Sequence, residues 1–75
     1  MQIRLKLMGT LKARAPAAGV LEVSDGAAIE EVLRVLEIAP QAVQVVAVNG
    51  QLERNRGRVL ASGDELSIIP AVGGG

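Results

Sequence analysis

The 75-residue chain ends in Gly73-Gly74-Gly75, and the α-carboxylate of Gly75 is the group with the most distinctive chemistry. Such a carboxylate has a pKa of about 3.3–3.7 and is ionised at neutral pH, so it is a poor acyl electrophile until it is activated. Because glycine lacks Cβ, Gly74 and Gly75 can pass in extended form through a narrow catalytic channel. A frayed terminus without function is the alternative.

Two groups of charged residues are further candidates. Asp64 and Glu65 are adjacent carboxylates that acid–base catalysis could use, but their place beside a Ser-Gly turn favours a structural role. Arg54, Arg56 and Arg58 could dock an acidic patch on a partner protein or steer an anionic substrate. A charge run in a loop is more often only solvated, and that alternative stays open.

An apolar surface on one strand is the last candidate. Val45 and Ala47 alternate with Val46 and Val48, so the two pairs point to opposite faces of a strand. Val45 and Ala47 could therefore belong to an exposed apolar sheet face that contacts a partner. Burial under a loop is an equal alternative.

Missing residue types exclude most enzyme chemistry. The chain has no Cys, no His and no aromatic residue, which rules out thiol nucleophiles, iron–sulfur clusters, thiolate zinc sites and imidazole ligands. Its hydroxyl residues, none beside an obvious activating base, are Thr10, Ser24, Ser62 and Ser67. We therefore expect a protein that is not itself an enzyme and binds no cofactor or metal.

The charge balance argues against nucleic-acid and membrane partners. Eight basic and eight acidic residues give zero formal charge, and no aromatic side chain is present to stack on bases. No apolar run is long enough to span a bilayer, and residues 1–4 do not resemble the start of a signal peptide. We expect a cytoplasmic protein.

The N-terminal third predicts a β-hairpin. Residues 1–8 alternate strictly, with Ile3, Leu5 and Leu7 on one face. Residues 9–19 contain Gly and Pro and predict a turn or loop. Leu21 and Val23 then predict a second strand that runs back beside the first.

The middle of the chain predicts one amphipathic helix starting near Ala28. Apolar residues recur there at i, i+3, i+4 and i+7: Ile29, Val32, Leu33 and Leu36. Ala28 stands where a Ser or Thr cap is usual. Pro40 forbids continuation, so the helix should end near Glu37 or Ile38.

The C-terminal half predicts three strands. Residues 43–48 are β-branched and nearly continuous, as in a central strand, and an Asn-Gly turn leads to a short edge strand and loop over 51–58. Residues 66–69 form the last strand, which Pro70 closes. The order predicts an α+β, β-grasp (ubiquitin-like) fold: a mixed sheet of four to five strands with one main helix packed across one face. The domain should cover 1–70, with a flexible Gly-Gly tail over 71–75.

Four stretches carry a resemblance to a known family. They are Ile3-Arg4-Leu5-Lys6-Leu7-Met8-Gly9-Thr10-Leu11, Val46-Ala47-Val48-Asn49-Gly50, Leu60-Ala61-Ser62-Gly63-Asp64-Glu65-Leu66 and Ile69-Pro70-Ala71-Val72-Gly73-Gly74-Gly75. Together they resemble the MoaD/ThiS family of ubiquitin-like sulfur carriers, over essentially the whole chain. Met8 stands where the molybdopterin branch usually has an aromatic residue, and Ala71 where it usually has a second Pro. The molybdopterin and thiamin branches both stay open.

The resemblance implies a protein co-substrate. An adenylating, ubiquitin-activating-like enzyme would use MgATP to adenylate Gly75, and a sulfur donor such as a cysteine desulfurase would convert it to a thiocarboxylate. The sulfur would pass to an acceptor synthase, either the molybdopterin synthase large subunit or thiazole synthase. Val72 and Gly73 would contact these partners alongside the reactive Gly74 and Gly75.

Two other functions are compatible with the same predicted fold and C-terminal tail. A ubiquitin-like modifier would join Gly75 to lysines of other proteins through an isopeptide bond. A plain interaction module would have the same fold and an inert tail.

Overall fold

The computed structural model describes residues 1–71; Val72, Gly73, Gly74 and Gly75 lie outside the described residues. The elements are β1 (Gln2–Leu7), β2 (Val20–Glu22), α1 (Ile29–Val35), β3 (Val43–Val48), β4 (Gln51–Leu52) and β5 (Glu65–Pro70). The sheet has the order β2-β1-β5-β3-β4, with β1 and β5 parallel and the other neighbours antiparallel. This mixed sheet with one main helix confirms the predicted β-grasp fold.

Alternation along the strands determines which face of the sheet is buried. Ile3, Leu5 and Leu7 of β1 are buried, while the residues between them are exposed. Leu66 and Ile68 of β5 lie beside them, fully buried, and pack in the same core as the apolar side chains of α1. Burying one such side chain stabilises the fold by about 1.5–3 kcal/mol, so this covered face holds α1 on the sheet.

Strand β3 is interior, but β5 is the central strand. The apolar run of β3 predicted a central strand, and β3 pairs along its two edges with β5 and with the short edge strand β4. Its register shifts between Val43 and Val45. Beyond that irregularity, Val46 and Val48 face the core.

The predicted loop over 9–19 includes a helical segment. Gly9–Arg14 forms a 3-10 helix with a bond from Leu11 N–H to the Met8 carbonyl at 3.1 Å. The sequence did not predict this helix because the segment contains only one large apolar residue. That residue, Leu11, is buried in the core, and its burial favours the turn.

The helix ends earlier than predicted, with Leu36 as its C-cap rather than near Glu37 or Ile38. Glu37 adopts a left-handed conformation (φ 59°), and its N–H donates to the Arg34 carbonyl at 3.0 Å. The Ile38 N–H donates to the Leu33 carbonyl at 2.9 Å, and both these side chains are buried. This is a Schellman cap, so local hydrogen bonds end the helix before Pro40 does.

Backbone carbonyls from a distant loop cap the start of α1. The Ile29 N–H donates to the Arg58 carbonyl at 3.0 Å and the Glu30 N–H to the Arg56 carbonyl at 2.9 Å. Ala28 has no side chain that can accept a hydrogen bond; Glu31 Oε1 accepts from the Ala28 N–H at 3.5 Å, a long bond. The loop therefore replaces the missing Ser or Thr cap. Within residues 1–71, no helix is long and apolar enough to cross a membrane.

Candidate functional site

The chain leaves the sheet at the end of β5, between two short helical segments. The Ala71 N–H donates to the Ala42 carbonyl at 2.9 Å, which ties the exit to the 3-10 turn Pro40–Ala42. The Met8 N–H donates to the Ile68 carbonyl at 3.2 Å on the other side. The segment leading to the predicted reactive terminus is thus fixed up to Ala71.

The face of the sheet opposite α1 carries an apolar surface. Pairing places Val45 opposite Ile69, and Ala47 opposite Leu52 of β4. Residues opposite each other share a face, and the neighbouring Val46 and Ile68 point into the core. The open-face patch is defined by Val45, Ala47, Leu52 and Ile69.

The predicted patch residues contribute unequally to this surface. Val45 is partly buried and Ala47 is 9% exposed, so Ala47 offers little surface of its own. Leu52 is 69% exposed and dominates the patch. Sequence reasoning missed Leu52, which lies in a polar stretch, and Ile69, although the alternation of β5 could have revealed it.

Two of the three predicted arginines lie beside the patch. Arg54 and Arg56 line a groove of about 390 Å³ together with Val45 and Leu52. The Nε atom of Arg56 is buried and has no hydrogen-bond partner among the described residues. A buried donor without an acceptor is unfavourable.

Arg58 is engaged differently from the other two arginines. Its Nη1 donates to Glu53 Oε1 at 3.0 Å. The Asn55 backbone N–H also donates to Glu53, and these two contacts hold the pKa of that carboxyl below its usual value. Arg58 therefore helps to order the loop and offsets the charge of Glu53, which lines the same groove as Arg54 and Arg56.

The Asp64 carboxylate belongs to a turn, although sequence reasoning did not foresee its partner. Asp64 Oδ2 accepts from the Ala61 N–H at 2.8 Å, and Oδ1 accepts from Asn49 Nδ2 at 2.9 Å. Asn49 Oδ1 in turn accepts from the Glu65 N–H at 2.9 Å. The Ala61 N–H, followed by the Asn49 amide, lowers the pKa of Asp64. The polar turn cluster, defined by Asn49, Ala61, Asp64 and Glu65, ties the β3–β4 turn to the start of β5.

The Asp64–Glu65 pair shows no arrangement for acid–base catalysis. Both Asp64 oxygens are occupied by the turn, and Glu65 lies 3.9 Å from Arg4 Nη2 across the β1–β5 pair. Within residues 1–71, no group of three or more His, Cys, Asp or Glu residues could hold a metal ion.

The sequence matches the model of a known protein family. The model of the ThiS family matches residues 5–75, nearly the whole chain. A comparison with curated protein sequences gives no match.

Three solved structures share the fold. The HVO 2177 protein of Haloferax volcanii is 26% identical with a TM-score of 0.75, covering 100% of this chain and 87% of that one. SAMP1, the small archaeal modifier protein 1 of the same organism, is 23% identical with a TM-score of 0.70, covering 100% of both chains. A chain in the complex of subunits 1 and 2 of the molybdopterin-converting factor from Helicobacter pylori is 22% identical with a TM-score of 0.64, again covering 100% of both.

Proposed function

Because the family model matches residues 5–75, the chain belongs to the ThiS family, and we propose that it is a sulfur carrier whose Gly75 carboxylate is converted to a thiocarboxylate. The observation that carries this proposal is that the match extends through the terminal glycines. The carrier is a co-substrate, consumed and regenerated, in molybdopterin or thiamin thiazole synthesis. It binds no cofactor; the activating enzyme uses MgATP.

The proposed reaction has two stages. A Gly75 carboxylate oxygen attacks the α-phosphorus of ATP, and pyrophosphate leaves to give an acyl-adenylate. A persulfide sulfur supplied by a donor such as a cysteine desulfurase then attacks the acyl carbon, and AMP leaves. A thiol cleaves the resulting acyl disulfide, which releases the thiocarboxylate and leaves the thiol oxidised to a disulfide. Gly73 and Gly74 allow the close approach that both stages require.

The open-face patch is the proposed docking surface for the adenylating enzyme and the acceptor synthase. Leu52 supplies the most exposed apolar side chain, and Val45 with Ala47 forms the floor beside it. Arg54 and Arg56 add positive charge to the same groove, which favours an acidic partner surface. Arg58 acts through Glu53 by ordering the loop, and Val72 contacts the partner beside the glycines. The complex of the related molybdopterin-converting factor subunits supports a synthase as one partner.

The sulfur-carrier proposal is tested by reconstitution. The full chain and a variant lacking Gly74 and Gly75 are incubated with the cognate adenylating enzyme, MgATP, a cysteine desulfurase and cysteine. Intact-mass spectra should show replacement of one oxygen by sulfur in the full chain only. Equal support of the pathway by the truncated chain would instead identify an interaction module with an inert tail.

The docking proposal has a matched pair of variants. Leu52→Ser removes the exposed side chain of the patch, and Val35→Ser removes one of similar exposure from α1, 60% against 69%. Losing about 1–2 kcal/mol of contact should raise the KM for the adenylating enzyme about fivefold to thirtyfold in Leu52→Ser alone. An equal KM in both variants would place the docking surface elsewhere.

A protein modifier is the second candidate function. The observation that favours it is the fold shared with the small archaeal modifier protein 1 over the full length of both chains. Both functions begin with the same adenylation of Gly75, so only their products distinguish them. Peptides carrying Gly75 on a lysine ε-amine would identify the modifier.

A further inference from the structure

Gly9 makes an unusually close approach to the residue that ends β5. It has a positive φ of 57°, and a Cβ placed on it would lie 3.0 Å from Pro70 Cγ and 3.7 Å from Cδ. Carbon atoms in favourable contact are about 3.5–4.0 Å apart. The missing side chain of Gly9 therefore leaves the space in which the proline ring packs.

Two backbone contacts complete this arrangement. The Met8 N–H, directly before Gly9, donates to the Ile68 carbonyl at 3.2 Å, and the Ala71 N–H donates to the Ala42 carbonyl at 2.9 Å. Pro70 and Ala71 thus lie between the backbone near Gly9 and the turn that ends at Ala42. The exit collar is defined by Gly9, Ala42, Pro70 and Ala71.

We propose that Gly9 is a positioning residue, which through the Pro70 ring sets the direction in which the chain leaves the sheet and so the rate at which Gly75 is adenylated. The consequence for adenylation rests on the proposed function. The consequence for Ala71 rests on the exit collar alone.

The stiffness of proline is what transmits the contact. An ordinary side chain could rotate away from an added methyl group, but the pyrrolidine ring includes the backbone nitrogen and fixes φ near −65°. A change of ring pucker relieves part of the contact at Cγ, and the remainder shifts the backbone of Pro70 and strains the Ala71–Ala42 hydrogen bond. Misplacement of a reacting group by about 1 Å can lower a rate by up to about 10²-fold, so a shift of a few tenths of an ångström should lower it less.

Gly19 provides the matched control. It lies in the same β1–β2 connection with a positive φ of 71°, but a Cβ on it meets no atom within 4 Å. Gly9→Ala and Gly19→Ala carry the same kind of backbone strain. Only the first pushes on Pro70.

Two measurements follow on the full chain. Amide hydrogen exchange of Ala71, followed by NMR, should be about tenfold faster in Gly9→Ala than in Gly19→Ala at equal global stability. Pyrophosphate release by the cognate adenylating enzyme should show kcat about tenfold lower in Gly9→Ala with KM within about twofold of wild type. Gly19→Ala should match wild type in both kinetic constants.

A second substitution tests the route through the ring. In a Pro70→Ala background the Cγ and Cδ atoms are gone, so adding Gly9→Ala should change neither Ala71 exchange nor kcat further. A further change of the original size would overturn the role of the ring. Equal exchange in Gly9→Ala and Gly19→Ala would overturn the exit collar. Altered exchange with unchanged kcat would overturn the positioning role. A wild-type chain that is never adenylated would overturn both the positioning role and the proposed function. In that case the exchange of Ala71 would still test the contact between Gly9 and Pro70.

Discussion

At the start of β5, side-chain hydrogen bonds add to the backbone hydrogen bonds that hold the strand, whereas at its end a proline ring and backbone atoms make the contacts. The polar turn cluster joins Asp64 to Asn49, 15 residues away in sequence, through a 2.9 Å hydrogen bond. The exit collar has one backbone hydrogen bond, from Ala71 to Ala42, and the packing of Pro70 on Gly9. We therefore expect the first end of the strand to stabilise the fold and the second end, under the proposed function, to direct the terminus.

The largest effect should come from the exit end. Under the proposed function, Gly74→Ala adds a methyl group to the part of the chain that enters the narrow channel of the partner enzyme, and we expect thiocarboxylate formation to fall about 10²-fold. The melting temperature should not change. Single-turnover mass spectrometry and thermal unfolding measure the two quantities. A fall in melting temperature that accounts for the lost rate would show that the two ends are not separate.

The next effect should come from the start of β5. Asp64→Ala leaves the Ala61 N–H and the Asn49 amide without their acceptor, and we expect the free energy of unfolding to fall by about 1–2 kcal/mol. Thiocarboxylate formation should stay at the wild-type rate wherever the variant is folded. Urea denaturation gives the stability, with Ser62→Ala in the same turn as the control.

A double-mutant cycle sharpens that result. Asn49→Gly keeps a residue that tolerates the positive φ of 52° but removes the side-chain hydrogen bonds. The coupling free energy with Asp64→Ala should be about 0.5–1 kcal/mol. Strict additivity would mean that the Asn49–Asp64 contact does not stabilise the fold.

The smallest effect should be a dependence of stability on pH. The pKa of Asp64 is lowered on folding, mainly by the Ala61 N–H and then by Asn49. Its stabilising contribution is therefore present above the unfolded-state pKa of about 3.9 and is lost as the pH falls through the lowered folded-state value.

Asp64→Asn isolates this contribution. Its free energy of unfolding should fall less than that of wild type between about pH 5 and pH 2. The pKa of Glu53 is also lowered, first by the Asn55 N–H and then by Arg58. Glu53 therefore contributes equally to the pH dependence of stability in both proteins, and its contribution cancels in the difference between them. Parallel curves for the two proteins would show that Asp64 does not contribute to the pH dependence of stability.

Elements that depend on local pattern were predictable from the sequence. Alternation in β1 identified its buried face, and helical spacing identified the side of α1 that packs on the sheet. The β-branched run identified β3 with the bounds Val43–Val48. In each case the burial of one face repeats with the period of the element, so neighbouring residues carry the signal.

Features that depend on contacts between distant residues were not predictable. The Asn49–Asp64 hydrogen bond and the capping of α1 by the Arg56 and Arg58 carbonyls join segments far apart in sequence. Leu52 joins the open-face patch because β4 pairs with β3, and a two-residue strand has no periodicity to reveal its face. The left-handed Glu37 was concealed for another reason, since Gly or Asn is the usual residue at that position.

The central claim is that Gly75 carries sulfur, and the most direct test is the intact mass and C-terminal fragment spectrum of the protein purified from its own cells. We predict a mass increase equal to the replacement of one oxygen by one sulfur, located on Gly75 and absent when the adenylating enzyme is deleted. An unmodified Gly75 under every sulfur supply, or Gly75 found only in linkage to lysines, would contradict the claim.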